Sequence, residues 1–123
     1  MLKFEAALFE SVHDLPIPVV LNQLARTVGV RIVCFVTNYS THGQIKKWFA
    51  GGEISNLDQE RLRTTLRCVR ALQPENNNFI AGWLVRQPLN DQGLTPVSLI
   101  AESESPLDFE RVVKAAKTHR SGK

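Results

Sequence analysis

Residues that could carry out catalysis are few in this sequence, and they lie far apart. The three histidines, His13, His42 and His119, do not have the spacing of metal ligands. Cys34 and Cys68 lie in apolar stretches, form no Cys-x-x-Cys pair and have no neighbouring base that would activate a thiol. The sequence therefore predicts buried, reduced thiols, no metal site, no cofactor and no enzymatic activity.

The segment from Val30 to Gly51 has the pattern of a helix-turn-helix, which predicts binding to DNA. Such a helix pair needs a small residue in the first helix, an apolar residue in the turn and apolar anchors in the second helix. The residues that can fill these roles are, in that order, Cys34, Tyr39, and Ile45 with Trp48. The polar residues that then face outwards from the second helix or its start are Thr41, His42, Gln44, Lys46 and Lys47. Gln and Lys side chains can hydrogen-bond base edges, whereas paired lysines more often contact phosphates. An ordinary helical hairpin with solvated lysines explains the same pattern equally well.

Three arginines form a basic stripe on the helix that follows. This helix is predicted from about Leu57 to Gln73, and Pro74 ends it. Its apolar side consists of Leu62, Leu66, Val69 and Leu72. The basic stripe flanks this apolar side, and its members are spaced i, i+4 and i+7. They are Arg63, Arg67 and Arg70. We expect the stripe to add non-specific contacts to DNA phosphates.

Helical periodicity dominates the whole chain, which predicts an all-α fold. Apolar residues at helical spacing predict further helices at Ile17 to Val28, Val30 to Val36, Thr41 to Ala50 and Phe79 to Arg86. The run of β-branched residues in Val30 to Val36 also fits a buried strand, and its helical neighbours favour a helix. Two more helices are predicted to start at Pro96 and Pro106, because a capping hydroxyl precedes each proline.

The chain is expected to form one compact multi-helix domain with two subregions. A polar linker at residues 74–78 separates a helix-turn-helix half, residues 1–73, from a small helical half, residues 74–123. The linker is too short to separate independent domains. A chain of 123 residues supports one hydrophobic core and not two.

The net charge of +3 conceals blocks of opposite sign. Residues 15–72 hold eight bases and three acids, residues 73–110 hold one base and six acids, and residues 111–123 hold five bases and no acid. These blocks predict a bipolar molecule whose DNA-binding and protein-binding faces differ in sign. Charge fluctuations of this size are also common on solvated surfaces.

Neither a membrane span nor a secretory signal is predicted. The longest apolar run, Leu15 to Leu21, contains two prolines and is far shorter than the roughly 20 residues that a membrane helix needs. The start, Met1 to Glu10, contains two glutamates and lacks a basic flank before an apolar block. We therefore expect a cytoplasmic protein.

Several of these segments, taken in order, resemble the Xre/MbcA/ParS-like antitoxin family. The matching segments are Ile45-Lys46-Lys47-Trp48-Phe49-Ala50-Gly51, Arg61-Leu62-Arg63 at the start of a long helix, then Ala81, Trp83 and Leu84, with Pro96 thirteen residues after Trp83. The resemblance covers roughly Val28 to Val113. It implies an Xre-like helix-turn-helix followed by a small helical toxin-binding region. Family members typically pair with RES-domain toxins that degrade NAD, and the complex typically represses its own operon.

The resemblance also assigns individual residues. Ser40 to Trp48 corresponds to the family's "Ser … Val-x-x-Trp" recognition segment, with Ile45 in the Val position. Trp83 and Pro96 match the family's Trp-Leu and Pro-x-x-Leu-Leu segments. The candidates for toxin binding are Trp83, Arg86, Leu89, Pro96, Lys114 and Lys117. Where the family usually has Asn-Pro followed by Leu and Gly, this chain has Pro88-Leu89 and then Asp91-Gln92. That departure implies a rearranged loop, packed through Leu89 or Leu94.

The leading functional prediction is an antitoxin that binds double-stranded DNA of its own promoter and a cognate toxin, without catalysis. A stand-alone helix-turn-helix regulator without a toxin is the alternative, and a protein-interaction module that no longer binds DNA is the third. The apolar face of the last helix would dock on its own domain, cover a toxin or form a homodimer. A homodimer would match two half-sites one turn of DNA apart.

Overall fold

In a computed structural model, residues 12–121 are described, with side chains up to His119, and they form no strand. We number the helices α1 Ile17–Thr27, α2 Val30–Val36, α3 His42–Phe49, α4 Asn56–Leu72, α5 Asn77–Arg86, α6 Pro96–Glu102 and α7 Pro106–Ser121. A helical turn at residues 12–14 precedes α1. The predicted all-α class is confirmed, and Val30–Val36 is helical. The segment Met1 to Glu10, which we predict not to be a secretory signal, lies outside the described residues.

Side-chain caps begin four of these helices. The capping oxygen accepts a hydrogen bond from the N–H three residues later, in the pairs Thr41 with Gln44, Ser55 with Asp58, Asn76 with Phe79 and Thr95 with Ser98. Such a cap stabilises a helix by about 1 kcal/mol. The predicted starts at Pro96 and Pro106 are confirmed, and the Ser105 hydroxyl accepts from the Leu107 N–H at 3.2 Å.

One hydrophobic core joins both predicted subregions. The central helix α4 packs against α1 on one side and α7 on the other. The predicted apolar side of α4 is buried, and so are the α7 residues Phe109, Val112, Val113 and Ala116. The described parts of the two segments, residues 12–73 and 74–119, therefore share a single core.

Both thiols are free, and one lies deep in this core. Cys68 has no exposed surface, and burial raises the pKa of its thiol to about 12. Cys34 is half-buried, and burial raises the pKa of its thiol as well. A thiol with a raised pKa stays protonated and is a poor nucleophile at neutral pH.

A buried arginine connects α4 to the end of α6. The Arg61 side chain donates through Nε to the Ile100 carbonyl at 3.1 Å and through one terminal nitrogen to the Ser103 carbonyl at 3.2 Å. Its other terminal nitrogen contacts the Asp58 carboxylate at 3.1 Å. The last carbonyls of a helix have no partner within the helix, and they carry its negative dipole end. Arg61 therefore caps α6 from a neighbouring helix.

The loop between α5 and α6 packs as the sequence predicts. Leu89 and Leu94 lie against the core, and Asp91 is exposed. The Leu89 N–H donates to the Leu94 carbonyl at 2.7 Å, and the Asn90 side-chain oxygen accepts from the N–H groups of Gln92 and Leu94. These bonds hold Leu89 beside the carboxyl end of α5.

Within residues 12–121, none of the helices combines the length and the apolar character that a bilayer crossing requires. The longest of them, α4, carries charged residues throughout its length.

Candidate DNA-binding helix and α5–α7 groove

Two buried side chains hold α3 on the body of the protein. Ile45 and Trp48 are both buried, and α3 packs through them against α1 and α2. Both side chains were predicted as anchors, and their burial is confirmed. All other positions from residue 41 to residue 50 are exposed. A helix held along one narrow stripe presents most of its surface to a partner.

The connection between α2 and α3 contains two residues in the left-handed region. Asn38 has a φ of 61° and Tyr39 has a φ of 66°, while the Ser40 N–H donates back to the Cys34 carbonyl at 3.0 Å. Tyr39 is 62% exposed, and its ring lies 5.0 Å from the ring of Phe35. Tyr39, the predicted apolar residue of the turn, does lie in the turn, but its side chain is on the surface and not in the core. Its left-handed backbone directs the side chain outwards, onto the surface of α2.

The exposed face of α3 carries the predicted DNA-contacting residues. All five are exposed, namely Thr41, His42, Gln44, Lys46 and Lys47. Neither lysine forms an ion pair with any side chain in residues 12–121. Phe49, which the periodicity placed on the apolar face, is 46% exposed because α3 ends there. The face therefore combines free cations, an amide and an aromatic ring.

The arginine stripe lies elsewhere, and its first member binds the chain before α1. One terminal nitrogen of Arg63 donates to the carbonyls of Val12 and Leu15, each at 2.7 Å. These two contacts tie the segment before α1 to the central helix. Stripe positions beside an apolar face suit phosphate binding and internal packing alike, because an arginine stem covers apolar surface while its head reaches polar atoms.

The other two members of the stripe are also engaged within the chain. Both terminal nitrogens of Arg67 contact the Glu110 carboxylate on α7, at 2.6 and 3.2 Å. The hydrogen bond from Arg67 lowers the pKa of the Glu110 carboxyl. Arg70 donates to the Gln23 side chain on α1 at 3.2 Å, and burial lowers the pKa of its guanidinium. The three arginines therefore join α4 to its neighbours and do not extend the α3 face.

Two glycines of the α3 segment make opposite contributions to stability. Gly43 lies within α3, where an added Cβ would meet only the Thr41 hydroxyl oxygen, at an ordinary 3.8 Å. Gly51 follows α3 with a φ of 96°, a backbone conformation in which any residue with a side chain is strained. Gly43→Ala should therefore raise the free energy of unfolding by about 0.5–1 kcal/mol, and Gly51→Ala should lower it by about 1 kcal/mol. Urea unfolding of both variants measures the difference, and equal shifts in the same direction would contradict it.

The residues predicted to bind a partner protein do not form one surface. Trp83 and Pro96 are buried, Leu89 is half-buried, and the three cations of the set are exposed, namely Arg86, Lys114 and Lys117. Three members meet at one groove between α5 and α7, namely Trp83, Leu89 and Lys114. Pro96 belongs to the start of α6, and Arg86 and Lys117 do not line the groove.

This α5–α7 groove has a volume of about 500 Å³ and is open to solvent. Its lining consists of Trp83, Gln87, Pro88, Leu89, Arg111, Lys114, Ala115, Thr118 and His119. Among the described residues, this lining has two cations and no acid. No binding role is predicted for Arg111 or His119 from the sequence. The two sides of the groove are more than 20 positions apart in the sequence, and no local pattern signals that they meet.

Three buried ring nitrogens have no hydrogen-bond partner among the described residues. Two lie at this groove, Nε1 of Trp83 and Nε2 of His119, and the third, Nε1 of Trp48, lies outside it. The His119 ring lies 6.5 Å from the Trp83 ring, edge-on, and 5.3 Å from the ring of Phe79. Buried polar atoms are nearly always hydrogen-bonded in folded proteins, so two unpartnered ones at one groove require an explanation.

The described residues bring together no group of three metal-ligating side chains. Two candidate binding surfaces remain, the polar and cationic face of α3 and the cationic groove between α5 and α7. Comparison with known proteins finds no family model that matches the sequence, no matching curated protein and no matching solved structure.

Proposed function

We propose that this chain is an antitoxin-like DNA-binding protein that acts through two binding surfaces and without catalysis. Helix α3 binds the major groove of its own promoter, and the surface formed by α5 to α7 binds and blocks a cognate toxin. The DNA-bound form represses its own operon as a homodimer. The resemblance to the Xre/MbcA/ParS-like antitoxins makes a RES-type, NAD-degrading toxin the expected partner.

The exposed face of α3 is the observation that carries the DNA-binding part. Its two lysines have no ion pair to give up on binding, since Lys46 and Lys47 form none within residues 12–121. The two anchors, Ile45 and Trp48, hold the helix rigidly from behind. A rigid helix with free donors on its outer face suits major-groove recognition.

The residues of this face have distinct roles in the proposed complex. Gln44 lies in the first turn of α3, where an amide can bind an adenine edge through two hydrogen bonds. Lys46 and Lys47 contact phosphates and supply affinity without sequence selectivity. Thr41 caps the helix, and its exposed N-terminus adds a favourable dipole toward a phosphate. The arginines of α4 have no role in this complex, because they bind groups within the chain.

Gel-shift measurements with the upstream DNA of the gene test this proposal. The double variant Lys46→Ala/Lys47→Ala should lose about tenfold or more in affinity, and the slope of log K against log salt should shrink by about 2. Gln44→Ala should instead reduce the preference for the cognate sequence by about 1–3 kcal/mol.

A charge-preserving variant is the matched control. Lys46→Arg/Lys47→Arg retains both positive charges and should retain the salt slope of the unmodified protein. Unchanged affinity after replacing Gln44, Lys46 and Lys47 together by Ala would remove α3 from the DNA interface. Binding that does not depend on salt would favour a pure protein-interaction module.

The partner distinguishes the antitoxin from a stand-alone regulator. Co-expression with the product of a neighbouring gene that encodes a RES domain should yield a stable complex and relieve its toxicity. DNA binding without such a gene or complex would favour the stand-alone regulator.

A further inference from the structure

We infer that the α5–α7 groove is a docking site for an acidic segment of the partner protein, with Arg111 and Lys114 binding its carboxylates. The inference rests on the proposed function in placing the partner surface on α5 to α7, and it adds the chemistry of the segment that binds there. Apolar side chains of the segment enter the groove beside Trp83 and Leu89.

The charge of the groove selects an acidic occupant. Arg111 makes one described contact, to the Asp108 carboxylate at 3.3 Å, and a guanidinium has five N–H donors. Lys114 is exposed and forms no ion pair within residues 12–121. Lys117, one turn further along α7, is also exposed. Since no described residue of the lining is acidic, this positive potential favours a carboxylate over a neutral or cationic group.

The unpartnered ring nitrogens point to a ligand rich in hydrogen-bond acceptors. The indole nitrogen of Trp83 can only donate, and the buried nitrogen of His119 donates in one of its tautomers. Both atoms have almost no accessible surface, so the His119 ring must move before a ligand atom reaches them. His119 lies in the last turn of α7, and this movement exchanges its ring contacts with Phe79 and Trp83 for contacts with the ligand. A carboxylate oxygen that enters would provide the missing acceptor.

The shape and the apolar lining favour a chain segment over a free metabolite. Pockets for small molecules enclose most of the ligand surface, whereas this groove is open to solvent. Pro88, Leu89 and Ala115 contribute apolar surface beside the cations. A peptide with an apolar side chain next to a glutamate satisfies both features and leaves its backbone outside.

A matched pair of peptides tests this inference on the full-length protein. The first is an acetylated and amidated Ala-Glu-Phe-Leu-Glu-Ala peptide, and the second has Gln in place of both Glu residues. Binding is followed in ¹H–¹⁵N spectra through the indole N–H signals of the two tryptophans, which the Trp83→Phe variant assigns. The Glu peptide should shift the Trp83 signal and bind about tenfold more tightly than the Gln peptide. The Trp48 signal, from the other end of the core, should not move.

Removing the groove cations should abolish this preference without unfolding the protein, because both side chains are exposed. The double variant Arg111→Ala/Lys114→Ala should lose about tenfold in affinity for the Glu peptide. Arg26→Ala, which removes an exposed cation outside the groove, should bind the peptide as the unmodified protein does.

Three results would overturn the inference: equal binding of the two peptides, no shift of the Trp83 signal, or full affinity of the double variant. A Trp83 shift of the same size from propionate alone at the same concentration would also overturn it, in favour of a small-molecule site. Gel shifts on the same samples report α3 independently. Failure of peptide binding with intact DNA binding therefore rejects the groove alone, and loss of both rejects the proposed function.

Discussion

Replacing Arg61 by Ala should lower the free energy of unfolding by about 3 kcal/mol, a large effect for a residue outside any proposed binding surface. The substitution would leave the carbonyls of Ile100 and Ser103 without the donors that they have now. It would also remove the ion pair with Asp58 and leave a void beside α4. Urea denaturation measures the loss.

Two further variants separate the causes of this effect. Arg61→Lys keeps the positive charge, but one ammonium group cannot replace a guanidinium that spans two carbonyls and a carboxylate, so most of the loss should remain. Arg31→Ala removes an exposed arginine and should change the free energy of unfolding by less than about 0.5 kcal/mol. A loss from Arg61→Ala as small as that of Arg31→Ala would mean that α6 does not need this cap.

Local sequence patterns were sufficient to predict the helices. Thr95 and Ser105 each precede a proline, and both helices begin at that proline because the cap and the fixed proline φ act within one turn. The burial of Ile45 and Trp48 follows in the same way from helical spacing. Each of these features depends on residues within about four positions of one another.

The charge blocks were a poorer guide, because charges are paired across the fold. Glu110 of the acidic block binds Arg67 of the first basic block. The tail that begins at residue 111 supplies the cations of a groove whose other wall belongs to the acidic block. A count along the chain therefore does not predict the sign of a surface. At the α5–α7 groove that sign is positive, opposite to the expected protein-binding face.

The groove itself was beyond sequence reasoning for the same physical reason. Trp83 and His119 come together only because α7 packs on α4 and α6, and those contacts depend on the whole core. The resemblance to antitoxins pointed to Trp83, Leu89 and Lys114 separately. It gave no indication that they meet Arg111 at one site.

Replacing Ile100 by Ala should destabilise both halves of the protein together. Ile100 has no exposed surface, and α6 contacts the first half of the chain through α2 and the second half through α5 and α7. The cavity that Ala leaves should lower the free energy of unfolding by about 3 kcal/mol. Leu107→Ala is the control, because Leu107 is 77% exposed and should contribute less than about 0.5 kcal/mol.

The two tryptophans distinguish one cooperative unit from two. Each is only 4% exposed, Trp48 in the first half and Trp83 in the second, so the fluorescence of each reports the unfolding of its own surroundings. In the single-tryptophan variants Trp83→Phe and Trp48→Phe, Ile100→Ala should lower the urea midpoint of both signals by the same amount, because one core passes through α6. A shifted Trp83 transition beside an unchanged Trp48 transition would instead require two independent subdomains. In a shared core, a segment that docks in the α5–α7 groove would also stabilise α2 and α3, since any ligand that binds only the folded state raises the stability of the whole cooperative unit.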